Sequence, residues 1–480
     1  MSLSDLSTLL PEIMLVLWAS ALLLLDAVVL KARRGWTAFL AVLGLAVALG
    51  LALAQGGGLG AAFGGMVVSD GFATFLEALL ALSGILGVVL AYDYLERQGL
   101  ARGEYYVLLL FSVAGMMLMA KAADLLVMFL ALELFSIPLY VLAGFARPRV
   151  ESEEAALKYF LLGALAAAFF VYGIALTYGA TDTTLISGIA AAVEGGSANL
   201  TLLALGSGLI LVGFGFKVAA VPFHMWTPDV YQGSPSSVTG FMAVGAKMAG
   251  FAALLRVLVL AFPALSEQLT PILWVLAAVT MFLGNIVALV QKNIKRMLAY
   301  SSIAHAGYML LAVTAYGMPG MSQDVVAAVL FYLLAYMLAN FGAWAVVIAL
   351  ERTEGKGLEI ADYAGLGRKR PWLALAMTVF MLSFAGMPPT VGFVGKFYLF
   401  RAAIQAGFVG LAIIGVLTSV ISVYYYMRVV TTMYMKEGSP ETQGDGWLRL
   451  GVAVTAIVTV VLGIAFAPAF RWAMQAVLRL

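Results

Sequence analysis

The feature that most constrains this chain is a series of long apolar runs, broken only by short polar or glycine-rich joins. One helix needs about 20 apolar residues to cross a bilayer. Fourteen stretches approach that length, near 9–30, 36–54, 70–92, 105–120, 123–145, 155–178, 200–230, 236–262, 271–290, 298–315, 325–350, 372–402, 408–432 and 448–470. A membrane-spanning strand alternates apolar and polar residues over about ten positions, and these runs do not. The chain therefore reads as an all-α polytopic membrane protein with about 14 transmembrane helices in a single membrane domain. Its 11% charged and 63% hydrophobic residues agree, because soluble domains carry about 25% charged residues.

The basic residues test the count independently. With the N-terminus outside, eighteen of the 27 fall in inner joins, from Lys31, Arg33 and Arg34 to Lys292, Lys295, Arg296 and Arg449. Four fall in outer segments: Lys121, Arg401, Arg471 and Arg479. Five lie within spans: Lys158, Lys217, Lys247, Arg256 and Lys396. This asymmetry obeys the positive-inside rule and supports an even count with both termini outside. The first apolar run lacks a basic leader before it and is expected to be retained.

Several chemistries are excluded. A net charge of +2 gives nucleic acid no electrostatic footing. With no cysteine, the chain holds no disulfide, thiolate zinc site or cysteine-ligated iron–sulfur cluster. HExxH, CxxC and dinucleotide GxGxxG patterns are absent, and GFMAVGAK and VGFVGK miss the phosphate-loop pattern and lie inside spans. No cofactor or metal is expected on this chain.

What stands out are ionisable residues inside the spans. A charge at mid-bilayer costs about 2.5–3.5 kcal/mol on insertion scales. Glu133, Lys217, Lys247 and Lys396 nevertheless sit near the centres of their runs. One such residue could be a structural cross-link between helices; four at one depth point to function. Desolvation disfavours a charged lysine while a nearby carboxylate favours it, so moving the carboxylate would switch the lysine between holding and releasing a proton. Ser136 and Tyr140 follow Glu133 by three and seven residues and share its helix face. Lys217 precedes Pro222, and Lys396 follows Pro388 and Pro389. Prolines at these points free backbone carbonyls that water or a lysine can approach. Paired interruptions suggest two inverted repeats, near 105–262 and 271–432, flanked by the first three helices and the last.

Other positions keep two readings. Lys158 near the inner end of its span either snorkels to the interface or joins the network. His224 and His305, the latter near Ser301, Ser302 and Tyr308, are secondary relay candidates or hydrogen-bonded structural groups. Arg256 pairs or snorkels, Asp229 anchors its turn, Asp26 is interfacial, and Glu77 has no explanation from sequence.

These residues sit in recognisable surroundings. LLPEIMLVLWASALLLLD, FLALELFSIPLYVLAGF, ESEEAALKYFLLGA, the stretch FGFKVAAVPFHMWTPDVYQGSPSSVTGFMAVGAKMAGFAALLR, NIKRMLAYSSIAHAGYMLL and FMLSFAGMPPTVGFVGKFYLF span nearly the whole chain. Together they closely resemble the subunit N family of proton-pumping NADH–quinone oxidoreductase (respiratory complex I), among the antiporter-like membrane subunits. The resemblance implies fourteen helices in two inverted repeats, with the seventh and twelfth helices broken. It implies a proton relay of Glu133, Lys158, Lys217, Lys247 and Lys396, with His224 and His305 as polar positions of a hydrated axis. It also implies that NADH, FMN, iron–sulfur clusters and quinone belong to partner subunits, and that K, M and L are membrane-arm neighbours in a bacterial cytoplasmic membrane. Two other readings are a component of a multisubunit Na⁺/H⁺ antiporter or hydrogenase-linked pump, and a scaffold that holds a membrane arm together without conducting. Sodium prefers oxygen ligands, and lysines dominate this midplane.

Overall fold

The computed structural model describes residues 3–30, 34–56, 58, 60–352, 356–444 and 446–478. The expectations for Lys31, Arg33 and Arg479 lie outside these residues. Sixteen helices carry the argument: α1 (Leu10–Leu25), α2 (Arg34–Gln55), α3 (Gly71–Arg97), α4 (Glu104–Lys121), α5 (Leu125–Ala143), α6 (Val150–Thr181), α7 (Leu200–Val218), α8 (Trp226–Gly233), α9 (Ser236–Arg256), α10 (Ser266–Leu289), α11 (Ile294–Val313), α12 (Ser322–Leu350), α13 (Pro371–Ala385), α14 (Val391–Gln405), α15 (Val409–Met435) and α16 (Gly446–Ile464). Strands Gly60–Ala62 and Val67–Ser69 form a small antiparallel hairpin between α2 and α3. The fold is all-α, as the absence of alternation requires.

Twelve of these helices are long and apolar enough to span a membrane. The remaining two expected spans differ for physical reasons. The run at 298–315 forms α11, whose Lys295, Arg296, Ser301, Ser302 and His305 hold its hydropathy below that of the twelve. The run at 372–402 forms two 15-residue helices, α13 and α14, each only about 22 Å long at 1.5 Å per residue.

Burial sorts the bundle into centre and rim. Of the most apolar window of each helix, 94% is buried in α12 and 89% in the span containing α9, against 22% in those of α1 and α16. The central helices are apolar all round because other helices surround them. Rim helices turn large apolar side chains outward, among them Leu17, Leu24, Leu161 and Val420, as a lipid-facing surface requires.

Small residues set the closest approaches, because lipid gives helices no hydrophobic drive to associate and backbone contact must substitute. On α6 and α7, a Cβ on Gly173 would lie 2.8 Å from the Gly206 carbonyl, and one on Gly206 only 2.7 Å from Thr177 Oγ1. Gly206→Leu is expected to force these helices apart at a cost of about 1–3 kcal/mol, measured as a lower melting temperature of the purified assembly.

Two charge placements need correction. Lys121 is not in an outer segment: it is the last residue of α4, fully buried, and paired with Glu77 and Glu12. That pairing also accounts for Glu77. Lys295 is not in an inner join but in the first turn of α11, where its buried Nζ donates to the Ser234 carbonyl at 2.6 Å. Arg256 pairs rather than snorkels, reaching Asp70 Oδ2 at 3.0 Å with both side chains fully buried. Asp26 is buried and accepts a bond from Thr37 Oγ1 at 2.7 Å.

Candidate functional site: a buried lysine string

The site begins where α7 stops. Ala219 takes a left-handed conformation (φ 63°), ending the helix just beyond Lys217. Val221–Pro222 is a cis peptide, and the chain resumes as α8 at Trp226. Polar groups freed by the break find partners: Val221 N–H donates to Thr280 Oγ1 at 2.9 Å, and Trp226 Nε1 donates to the Phe216 carbonyl at 3.0 Å. Buried backbone groups need such partners.

Lys217 is 4% exposed, and its Nζ donates to Ser136 Oγ at 2.7 Å. Four rings surround the ammonium, with the Phe135, Tyr140, Phe216 and Tyr159 centroids 5.2–5.8 Å away. Aromatic faces stabilise a cation without supplying a countercharge. Glu133 is half-buried on the same face of α5 as Ser136 and acts on Lys217 electrostatically rather than through a direct hydrogen bond. Ser136 thus stands at the ammonium where a carboxylate in direct contact would fix it.

Lys158 resolves into an ion pair at the edge of this site. Its Nζ lies 2.8 Å from Asp229 Oδ2 and 2.6 Å from Glu154 Oε1, with 40% of the side chain exposed. Asp229 on α8 also binds Arg296 on α11 at 2.7 Å. The carboxylate ties α6, α8 and α11 together, the anchoring role expected of it, and Lys158 is apart from Lys217's aromatic shell. His224 is half-buried in the α7–α8 break, its Nδ1 without a hydrogen-bond partner among the described residues. The structure does not bring it to the other site residues.

α9 carries the next lysine. Gly250, three residues past Lys247, packs on α7: a Cβ there would meet Val218 Cγ1 at 3.0 Å and Lys217 Cβ at 3.3 Å. This close approach sets the Lys217 stem against α9 one turn from Lys247. Lys247 is 2% exposed and donates to the Ser302 carbonyl on α11 at 2.5 Å, with the Tyr336 ring 5.7 Å away. Tyr336 in turn donates to Ser302 Oγ at 2.9 Å.

From Ser302 the polar groups follow α11. His305, one turn on, is 2% exposed; its Nδ1 lies 2.5 Å from the Tyr332 hydroxyl and its Nε2 3.0 Å from that of Tyr426. Tyr426 also contacts Ser301 Oγ at 2.5 Å. A further turn on, Tyr308 accepts from Asn285, which accepts from Tyr425 at 2.9 Å. The Tyr308 ring lies 4.5 Å from Lys396 Nζ.

Lys396 closes the string at the second break. α13 ends at Gly386 in the left-handed region (φ 79°), Pro388–Pro389 is cis, and α14 begins at Val391. Lys396 is 4% exposed and donates to Ser419 Oγ at 2.7 Å and to the Ala385 carbonyl at 3.2 Å. The carbonyl is one that the break leaves without a helical donor. A Cβ on Gly386 would lie 2.8 Å from Lys396 Cδ, so glycine serves here both the backbone turn and the lysine stem.

Sequence reasoning located the lysines and His305 but missed Tyr332, Tyr336, Tyr425, Tyr426, Asn285 and Ser419. Within apolar runs, tyrosine and serine read as packing. The triplet Tyr424–Tyr426 and a lone Asn285 in an apolar run were the available signals.

The family described as NADH:quinone oxidoreductase/Mrp antiporter, TM, matches residues 122–422, which contain Lys217, Lys247, His305 and Lys396 but stop short of Tyr425 and Tyr426. NADH-quinone oxidoreductase subunit N of Trichlorobacter lovleyi is 48% identical over 98% of this chain and 97% of its own. The subunit N of Chloroflexus aggregans is likewise 48% identical, over 97% and 96%. A chain in the structure of respiratory complex I from Thermus thermophilus with bound aureothin superposes with TM-score 0.83 at 40% identity, covering 96% of this chain and 98% of that one. A chain of the Mrp complex from a Dietzia species superposes at 0.86 with 22% identity over 99% and 97%, a likeness of fold alone.

Proposed function

We propose, proceeding from the fact that this chain belongs to the subunit N family of NADH–quinone oxidoreductase, that its buried lysine string carries protons through the membrane arm of that enzyme complex. Electron transfer from NADH to quinone takes place on other subunits, where flavin, iron–sulfur clusters and quinone are bound. This chain adds translocation without a redox centre of its own. Subunits K, M and L are its neighbours, and the membrane is the bacterial cytoplasmic membrane with both termini outside. Residues near 105–262 and 271–432 form the two inverted repeats, each with a broken helix.

The observation that carries this reading is that Lys217, Lys247 and Lys396 are at most 4% exposed and rest on hydroxyls and carbonyls rather than on carboxylates. A buried ammonium without a bonded countercharge costs several kcal/mol. Such a lysine suits a proton held briefly and passed on, whereas Lys158, paired with two carboxylates, suits a fixed charge that tunes its surroundings. Electron transfer elsewhere changes the field along the membrane arm, and Glu133 moves relative to Lys217 in response. Drawing away, the carboxylate withdraws the attraction that holds the Lys217 proton. The proton passes to Lys247 across the α7–α9 contact, then along the hydroxyls and imidazole of α11 to Lys396, which exchanges it with the far side. His305, hydrogen-bonded on both ring nitrogens, can accept at one as it gives at the other.

Proton-to-electron ratios in proteoliposomes test the reading. Complexes carrying Lys217→Ala or Lys247→Ala are expected to assemble and oxidise NADH while moving fewer protons per electron. Normal ratios in both would sink it. Loss of assembly in both, with normal pumping by whatever complex survives, would instead mark a scaffold.

A further inference from the structure

Away from the string, Glu12 in the first turn of α1, Glu77 on α3 and Lys121 at the end of α4 converge inside the bundle. Lys121 and Glu77 have no exposed side-chain surface, and Glu12 has 7%. Lys121 Nζ lies 2.7 Å from Glu77 Oε1, 3.1 and 3.2 Å from the two Glu12 oxygens, 2.9 Å from the Thr8 carbonyl and 3.2 Å from Gln55 Oε1. An ammonium has three hydrogens, too few for these five oxygens. With both carboxyls ionised, the cluster also carries one net negative charge in a buried setting, which is costly.

The two carboxyls complete the argument. Glu12 and Glu77 meet on the same ammonium, at 3.1 and 2.7 Å, and the second Glu77 oxygen, Oε2, is buried with no hydrogen-bond donor among the described residues. Two carboxylates have no hydrogen to place between them; a carboxyl and a carboxylate do. Other charges nearby are engaged elsewhere. Asp70 is bound by Arg256, which also donates to the Ala120 carbonyl; Asp124 caps α5 and accepts from Thr184; and Asp5 accepts from the Phe63 amide.

We propose that Glu12 and Glu77 share one proton over Lys121, so that this cluster is a proton-binding site separate from the lysine string. One added proton makes the cluster neutral and supplies the missing donor. Like-charged carboxyls in contact hold a proton jointly for the same reason in other settings. The cluster lies at the bundle end shared by Arg256, nine residues or about 13 Å along α9 from Lys247. It thus offers a second stopping point for protons near that end, and only this last role rests on the pumping function above.

Infrared spectroscopy of the intact purified complex tests the shared proton. Wild-type-minus-variant spectra for Glu77→Gln and Glu12→Gln are each expected to contain a buried carboxylic-acid C=O stretch that shifts in D₂O. Either substitution leaves one carboxylate over Lys121, a neutral ion pair with no need for the extra proton. If neither difference spectrum contains that band, the proposal is overturned. Should Glu77→Gln lower the yield of complex, Glu12→Gln decides by the same band. The lysine variants' proton-to-electron ratios are unaffected by this result, so the two proposals fail separately.

Discussion

Lys396→Arg is expected to lower proton translocation by at least about tenfold, a loss of about 1.4 kcal/mol in the rate-determining step, although it preserves charge. Lys396→Met should do the same. The prediction separates two roles that a buried cation can play. If Lys396 served only as a positive charge in the field of the string, arginine would replace it. A guanidinium stays protonated at any pH a protein survives, so it can neither accept nor give up the proton that the string must move. Geometry sharpens the contrast: the stem lies against Gly386, and the ammonium sits between Ser419 Oγ and the Ala385 carbonyl with the Tyr308 ring above. A planar, five-donor group does not match that nest. Initial rates of acidification in proteoliposomes, normalised to NADH oxidation, give the measurement. Wild-type pumping by Lys396→Arg would show that proton exchange at this position is not required.

The second large effect concerns assembly rather than transport. Arg256→Met is expected to cost about 3–5 kcal/mol, the usual penalty for leaving one partner of a buried ion pair alone. Arg256 holds both Asp70 oxygens at 3.0 and 3.1 Å and also donates to the Ala120 carbonyl at 2.9 Å. It therefore joins the end of α9 to the start of α3 and the end of α4. Its loss leaves Asp70 capping α3 through the Ala73 amide but removes the guanidinium that meets both of its oxygens. Melting of the detergent-solubilised complex should fall clearly, and Arg256→Met combined with Asp70→Asn should lose less than the two single losses together. An unchanged melting temperature in Arg256→Met would contradict the account.

Hydropathy made most of the bundle legible before any coordinates, because a span must be apolar over a fixed length and a charge within it is conspicuous. Lys217, Lys247 and Lys396 were readable for that reason. Their partners were not: His305 meets Tyr332 and Tyr426 across 27 and 121 residues, and nothing local distinguishes a tyrosine that donates a hydrogen bond from one that fills space. Lys121 was misread because a charge at the edge of an apolar run looks solvated, and only the fold brings Glu12 and Glu77 to it. In 372–402 hydropathy alone shows one run, while Pro388 and Pro389 mark an interruption inside it, and the chain forms one short helix on either side. Lys158 kept two readings in sequence because its ion partner Asp229 belongs to a different helix.

α11 has a further consequence, for biogenesis. Of the side chains that lower its hydropathy, Ser301, Ser302 and His305 belong to the string, while Lys295 and Arg296 bond the Ser234 carbonyl and Asp229, so its polarity is tied to its position in the bundle. A segment like this partitions poorly into lipid when it leaves the ribosome alone, as every polar group then lacks a partner. Its neighbour α10 is strongly apolar, and the two touch backbone to backbone, a Cβ on Gly284 lying 2.7 Å from the Ala304 nitrogen. The pair is best inserted as one helical hairpin, α10 bringing the hydrophobicity and α11 the hydroxyls and imidazole. Nascent chains that end within α11 would on this view stay at the membrane surface until α12 arrives to cover it.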